Sequence, residues 1–189
     1  MHRIQDAAFD LFDAHGYDAV TIERIAESAE VSASSVYRYF GTKEQLVLWN
    51  PHGSATLERI TDELNRRPPL EAIHAAATLL LSATLAEASD SVLRRIRYAM
   101  EVPEIRSAFV ARMNEIALLL ADLLARKLRL ERDDFTVHIV ASATVGAVLG
   151  AVQHWYRTGF AYPLDEAMDS AFGLIRHLEV ALAGRTVSP

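Results

Sequence analysis

The stretch Thr21-Ile22-Glu23-Arg24-Ile25-Ala26-Glu27-Ser28-Ala29-Glu30-Val31-Ser32, continued by Ala33-Ser34-Ser35-Val36-Tyr37-Arg38-Tyr39-Phe40-Gly41-Thr42-Lys43-Glu44-Gln45-Leu46, sets three helix starts close together. Thr21 is placed to cap the first of them, its hydroxyl accepting an orphan amide. Ile22, Ile25, Ala26 and Ala29 follow at spacings of three, four and seven, which is one apolar helical face. Glu30-Val31 reads as a tight connection. Ser32 then caps a short helix reaching Tyr39 or Phe40. Gly41 ends it, and Thr42 with Gln45 forms a capping box for the next helix. Helix, tight turn and short helix together make a helix-turn-helix pattern.

Working outward, Ile4, Ala8, Leu11, Phe12 and His15 stripe a preceding helix from about Arg3 to His15, stopped by Gly16. On the other side, Leu46, Asn50, Gly53, Leu57, Ile60 and Leu64 keep helical phase although Pro51 falls among them. That segment is either one kinked helix or two helices meeting at Asn50. Leu70 to Ala88 is apolar nearly all round. Further helices span 91–100, 103–127 and 134–157, the last opened by Asp133-Asp134, whose charge suits a helix start. Ile105, Phe109, Met113, Ile116, Leu120 and Leu124 share one face. Met168, Ala171, Phe172, Ile175, Leu178 and Leu182 stripe a final helix after the loop Gly159 to Pro163. No strand-like alternation and no repeat occurs. The expectation is an all-α protein of about nine helices. A three-helix helix-turn-helix domain at 1–48 precedes a helical domain at 49–189.

Composition narrows the function. The 189 residues are 51% hydrophobic, contain no cysteine and carry a net charge of −6. Disulfides, thiol catalysis and cysteine-ligated metals are excluded. Residues 1–50 hold four basic side chains (Arg3, Arg24, Arg38, Lys43) against eight acidic ones, so any nucleic-acid binding depends on where charges sit. Phe135 to Val152 is 18 residues without Asp, Glu, Lys or Arg, but its small residues predict a helix buried among others, not a membrane span. Met1-His2-Arg3 opens no apolar leader, which predicts a cytoplasmic protein. There is no nucleophile elbow, HExxH or phosphate loop. The expectation is therefore no enzyme, no metal and no cofactor. A helical-scaffold enzyme and a purely helical interaction protein are the rival classes.

Residues 21–46, with Arg3 to Tyr17 before them, closely resemble the TetR/AcrR family of regulators. The resemblance implies a DNA-binding repressor, released from a double-stranded operator by a small molecule and acting as a homodimer. The small residues Ser32, Ala33, Ser34 and Ser35 let the short helix approach base edges. Tyr37 and Tyr39 have hydroxyls suited to phosphates, and Arg38 is the one cation of this helix. Thr21 and Lys43 match family positions that touch the DNA backbone. The resemblance also marks two departures. Glu30 stands where the family usually has a turn glycine, and the recognition helix is poor in cations. Modest affinity and strong dependence on dimerisation are expected.

Beyond residue 50 the resemblance is architectural. It implies an effector pocket among helices 51–157, for which Trp49, His74, Thr78, Tyr98, Met113, His138 and Trp155 are candidates, together with Ser82. For each taken singly, a satisfied core polar group or plain packing residue is the more common reading. An effector held there is expected to be largely apolar. Arg94, Arg95 and Arg97 form a basic cluster that is either solvated or ready for an anionic effector. Dimerisation is assigned to the last two helices, through Gly146, Gly150, Ala147, Phe172, Ile175 and Leu182. Two small-residue rows, Ser142-Gly146-Gly150 and Ala143-Ala147-Ala151, are each open to packing between subunits or within one.

Overall fold

The computed structural model describes residues 1–50, 53–69, 71–75, 77–78 and 89–175, with backbone alone at 53–57 and 89. The helices are α1 (His2–His15), α2 (Ile22–Ser28), α3 (Ala33–Phe40), α4 (Lys43–Val47), α5 (Gly53–Arg66), α6 (Ser89–Glu101), α7 (Pro103–Leu128), α8 (Phe135–Arg157) and α9 (Leu164–Ile175). Residues 71–75 and 77–78 are helical too, and no strand occurs among the described residues. The segment around Asn50 is thus two helices, since α4 ends at Val47 and α5 begins at Gly53. Pro51 lies outside the described residues, as do Ser82, Leu178 and Leu182.

The caps follow the hydroxyl and carboxylate positions. Thr21 Oγ1 accepts from the Arg24 amide at 3.3 Å, Ser32 Oγ from Ser35 at 3.2 Å, and Thr42 Oγ1 from Gln45 at 3.2 Å. Asp134 accepts from the Thr136 and Val137 amides at 2.9 and 3.2 Å and so starts α8. Each cap satisfies an amide that the helix itself cannot.

The chain divides into two compact units. The first joins Met1–Pro51 to Glu87–Val110, and the second joins His52–Ala86 to Ala111–Pro189. In the first unit Phe9, Phe12, Val20, Ile25, Val36 and Leu46 are fully buried. Tyr98 and Ala99 of α6 and Ile105 of α7 lie in that same core. Gln5 is 1% exposed, and its Nε2 donates to the carbonyls of Leu46, Val47 and Trp49 at 2.9, 3.0 and 3.0 Å. It closes the C-terminal end of α4 from α1. His15 leaves the predicted α1 stripe. It is exposed at the helix end, where a polar ring keeps water and meets Arg24 Nη2 at 2.7 Å.

In the second unit α8 lies along α9. Val137, Val140, Ala141, Thr144, Val145, Ala151 and Trp155 are buried on α8, with Leu164, Met168 and Phe172 on α9. The expectation that α8 is enclosed by other helices holds for that face only. Phe135, Ile139, Ser142, Gly146 and Gly150 form an exposed stripe along the other. By length and composition α8 could cross a membrane, and 33% of its most apolar window is buried within the chain.

Candidate nucleic-acid interface

α3 is held by its apolar side and offers its polar side. Val36 and Phe40 are 0% and 6% exposed, and each such burial contributes about 1.5–3 kcal/mol. Ser32, Ser34, Tyr37, Arg38 and Tyr39 are exposed, while Ala33 and Ser35 are half-buried. The outward residues therefore fall on one side of a helix whose register is fixed by its core residues. At its N-terminus the Ser32 hydroxyl lies 3.0 Å from that of Ser34 and 2.8 Å from that of Ser35. The result is a small, polar tip with no bulky side chain before Tyr37, suited to a major groove.

Around that tip the polar groups hold one another. The Tyr37 hydroxyl donates to Glu23 Oε1 at 3.0 Å. Glu23's own amide, then the Thr21 and Tyr37 hydroxyls, hold its carboxyl below the usual carboxylate range, and Glu23 pushes the Tyr37 phenol up. Thr21, Glu23 and Tyr37 thus form one exposed network. The Arg38 guanidinium lies 5.0 Å from the Tyr39 ring centre.

Lys43 makes contacts within the chain that its position in the sequence does not reveal. Its Nζ donates to the Tyr17 and Val20 carbonyls at 2.9 Å each and sits 4.1 Å from the Tyr17 ring centre. An ammonium has three donors, and these two carbonyls take two of them. The Tyr17 hydroxyl donates to Glu44 Oε1 at 2.6 Å. Burial, then that bond, pushes the Tyr17 phenol far up. Partial burial lifts the Glu44 carboxyl, but bonds from Tyr17, Thr42 and its own amide outweigh this and leave it low.

The turn between α2 and α3 carries Glu30 at φ 53, in the left-handed region. The Val31 amide donates to Ala26 O at 2.9 Å and the Glu30 amide to Glu27 O at 3.0 Å. This double closure of a helix end requires a left-handed residue and favours glycine. A side chain there costs about 1–2 kcal/mol. Arg3 reaches this turn. Its Nε donates to Ala29 O at 3.0 Å, and its Nη2 donates to the same carbonyl and to Glu30 Oε2, the latter at 3.0 Å.

The candidate effector residues are divided between the two units. Trp49 and Tyr98 belong to the first unit. Trp49 lies edge-on to His2 and Phe40, and Tyr98 is a core residue. In the second unit His74 Nε2 pairs with Asp169 at 2.7 Å and stacks on Phe172. His138 Nε2 lies 3.2 Å from Arg132 O, and Trp155 Nε1 donates to Tyr162 O at 2.6 Å. Residues 138 and 155 are separated by about 25 Å of helix. Thr78 and Met113 are half-buried. Two arginines of the cluster, Arg94 and Arg97, face α1. Arg94 pairs with Asp10 and Asp13 at 2.8 and 2.9 Å, and Arg97 with Asp13 at 2.6 Å. Nothing in the spacing of those acids predicts that partnership.

Of the candidate dimer residues, Gly146 and Gly150 are exposed, with no atom within 4 Å of a Cβ built on either. Ala147 and Ile175 line a groove of about 510 Å³ between α8 and α9. Phe172 is 3% exposed and packs within its own chain. Leu182 lies outside the described residues. Leu174, 81% exposed beside the groove, breaks the α9 stripe and so went unmarked in the sequence.

The chain matches two family profiles: the bacterial regulatory proteins of the tetR family at residues 4–48, and the MftR C-terminal domain at 67–178. It is 28% identical over 179 residues to the mycofactocin biosynthesis transcriptional regulator MftR of Mycobacterium tuberculosis, covering 92% of this chain and 88% of that protein. It is 30% identical over 161 residues to the HTH-type transcriptional regulator TcmR of Streptomyces glaucescens, covering 79% and 70%. Its fold is similar to that of FadR from Thermus thermophilus, a TetR-family repressor solved in complex with lauroyl-CoA. The TM-score is 0.56 at 23% identity, over 92% of both chains. It is also similar to SmeT solved with triclosan, with TM-score 0.62 at 17% identity over 92% and 90%. An outward short helix on a helix-turn-helix core and two profiles covering both halves lead to one conclusion: the chain belongs to the TetR family of DNA-binding bacterial transcriptional regulators.

Proposed function

We propose that this chain is a cytoplasmic repressor that binds a palindromic operator as a homodimer and leaves it when a largely apolar small molecule occupies the helical domain. The observation that carries the DNA reading is the two-sided character of α3. Val36 and Phe40 anchor it, and Ser34, Tyr37, Arg38 and Tyr39 are exposed. Ala33, Ser34, Ser35 and Arg38 carry base choice, Ser32 caps the helix, and Thr21, Tyr37, Tyr39 and Lys43 meet phosphates. We take 1–48 as the DNA-binding domain and 49–189 as the effector and dimer domain, with 89–110 contributing to the first domain's core.

The exposed stripe on α8 supports a homodimer. Phe135 is 75% exposed and Ile139 47%, flanking a row at Ser142, Gly146 and Gly150 where a second backbone can approach closely. A symmetric pair places two α3 helices against two half-sites. The effector reading is supported by fold relatives solved with lauroyl-CoA and with triclosan. Occupancy reaches α3 only if it favours a spacing of the pair that misfits DNA. α6 is the element suited to carry it, because Arg94, Arg97 and Tyr98 fasten it to Asp10 and Asp13 of α1.

A mobility-shift titration on the DNA upstream of the chain's own gene, with and without lauroyl-CoA or triclosan, tests this. The expected result is saturable binding that weakens at least about tenfold in Tyr39→Ala. Folded protein that leaves this DNA unshifted at low salt contradicts the operator reading. Binding that no apolar molecule releases contradicts the effector reading.

A further inference from the structure

The turn that aims α3 is built around a residue ill suited to it. Glu30 takes φ 53, and its side chain adds a carboxylate two residues before Ser32, the cap of α3. A negative charge there repels an approaching phosphate backbone over about 8–10 Å. The first turn of α1 answers both problems with one side chain. Arg3 forks across the turn, taking the Ala29 carbonyl with Nε and Nη2 and the Glu30 carboxylate with Nη2. Ala29 is the C-cap of α2, so its carbonyl has no partner within the helix. An exposed ion pair alone contributes little. Here the pair shares its guanidinium with a backbone acceptor. Arg3 precedes Ile4 and Gln5, which are 6% and 1% exposed, so its backbone starts at the edge of the core while its side chain, 65% exposed, lies over the turn.

We propose that Arg3 is a positioning residue for the recognition helix: a cationic latch that holds the left-handed Ala29–Glu30 turn and neutralises Glu30, so that α3 can meet duplex DNA. This rests on the operator reading above. It differs from a direct phosphate contact because the charge-neutralising part of the role of Arg3 exists only while Glu30 is present, whereas its bond to the Ala29 carbonyl does not need the Glu30 side chain. Lysine supplies the charge without the fork, so Arg3→Lys should restore part of the function.

The test is a cycle of the unaltered chain, Arg3→Ala, Glu30→Gly and the double variant. Each is measured for thermal midpoint without DNA and for binding to a fluorescein-labelled duplex from upstream of its own gene at two salt concentrations. Arg3→Ala should weaken binding at least about fivefold beside Glu30, but less than about twofold when introduced into the Glu30→Gly chain. The fivefold deficit should shrink at higher salt, as the unpaired carboxylate is screened. The midpoint should fall in Arg3→Ala, rise in Glu30→Gly, and drop less from Glu30→Gly to the double variant than from the unaltered chain to Arg3→Ala. Equal losses in both backgrounds, or no loss in either, overturn the latch. A deficit that salt does not change also overturns it, since that marks a fold defect. If the unaltered chain ignores the duplex, the operator reading fails separately. The midpoint cycle then decides whether the turn latch exists.

Discussion

Tyr98 stacks on Phe9, with ring centroids 5.8 Å apart and planes 6° from parallel, and its hydroxyl donates to Asp13 at 2.6 Å. One residue of α6 is thereby bound into the core that supports the recognition helix. Phe12 meets the same ring edge-on at 5.5 Å. Such aromatic pairs contribute about 0.5–1.5 kcal/mol beyond the area they bury.

That placement gives Tyr98 a pH signature. Burial, then the bond to Asp13, pushes its phenol up to about 12 from an ordinary 10.0. The folded state favours the protonated form, so this stabilisation is fully present below about pH 10 and is lost as pH rises through about 12. Tyr98→Phe should remove that part of the alkaline loss. It should also cost about 1 kcal/mol at neutral pH, read from urea midpoints at constant slope.

Gln5 carries its own prediction. Replacing it with Leu leaves the carbonyls of Leu46, Val47 and Trp49 without its amide in a dry site. The expected loss is about 1–3 kcal/mol in denaturant unfolding. Gln5→Glu should be worse at neutral pH, because a carboxylate there faces carbonyl oxygens, and should recover as pH falls.

The helices were legible in the sequence because their signals are local. Thr21, Ser32, Thr42 and Asp134 each cap the helix they precede, and Val36 and Phe40, four residues apart, share the inward face of α3. What stayed hidden joins distant residues. Gln5 reaches α4 across 41 positions and Arg3 reaches Ala29 across 26, and no periodicity encodes either. Arg94 and Arg97 read as a solvated cluster until α6 is laid beside Asp10 and Asp13. Tyr98 sits on an apolar face that equally fits a ligand pocket or a core; tertiary packing alone puts it in the core.

Lys43 and Arg38 should separate by stability. Lys43→Ala removes a donor from the Tyr17 and Val20 carbonyls, so it should lower stability by about 1–2 kcal/mol as well as weaken DNA binding. Arg38→Ala changes an exposed residue and should leave stability within about 0.5 kcal/mol while weakening DNA binding. Parallel thermal melts and binding isotherms check the split.

Gly146→Arg should act on assembly alone, since Gly146, unlike Gly150, does not line the groove between α8 and α9. No atom lies within 4 Å of a Cβ at this position in the single chain, so the helix tolerates the side chain. Across a close two-fold contact it clashes and brings like charges together. Sedimentation should show a dimer for the unaltered chain and a monomer of unchanged helicity for the variant. DNA affinity should fall with it.

Hydroxyl-radical footprinting of the unaltered chain on the DNA upstream of its own gene, beside the Arg38→Ala/Tyr39→Ala double variant, probes the role of α3 most directly. The account predicts two protected stretches related by two-fold symmetry, their centres one turn of about 34–36 Å or a small multiple apart, both lost in the folded double variant. Protection unchanged by the double variant, or no protection by folded protein at low salt, contradicts it.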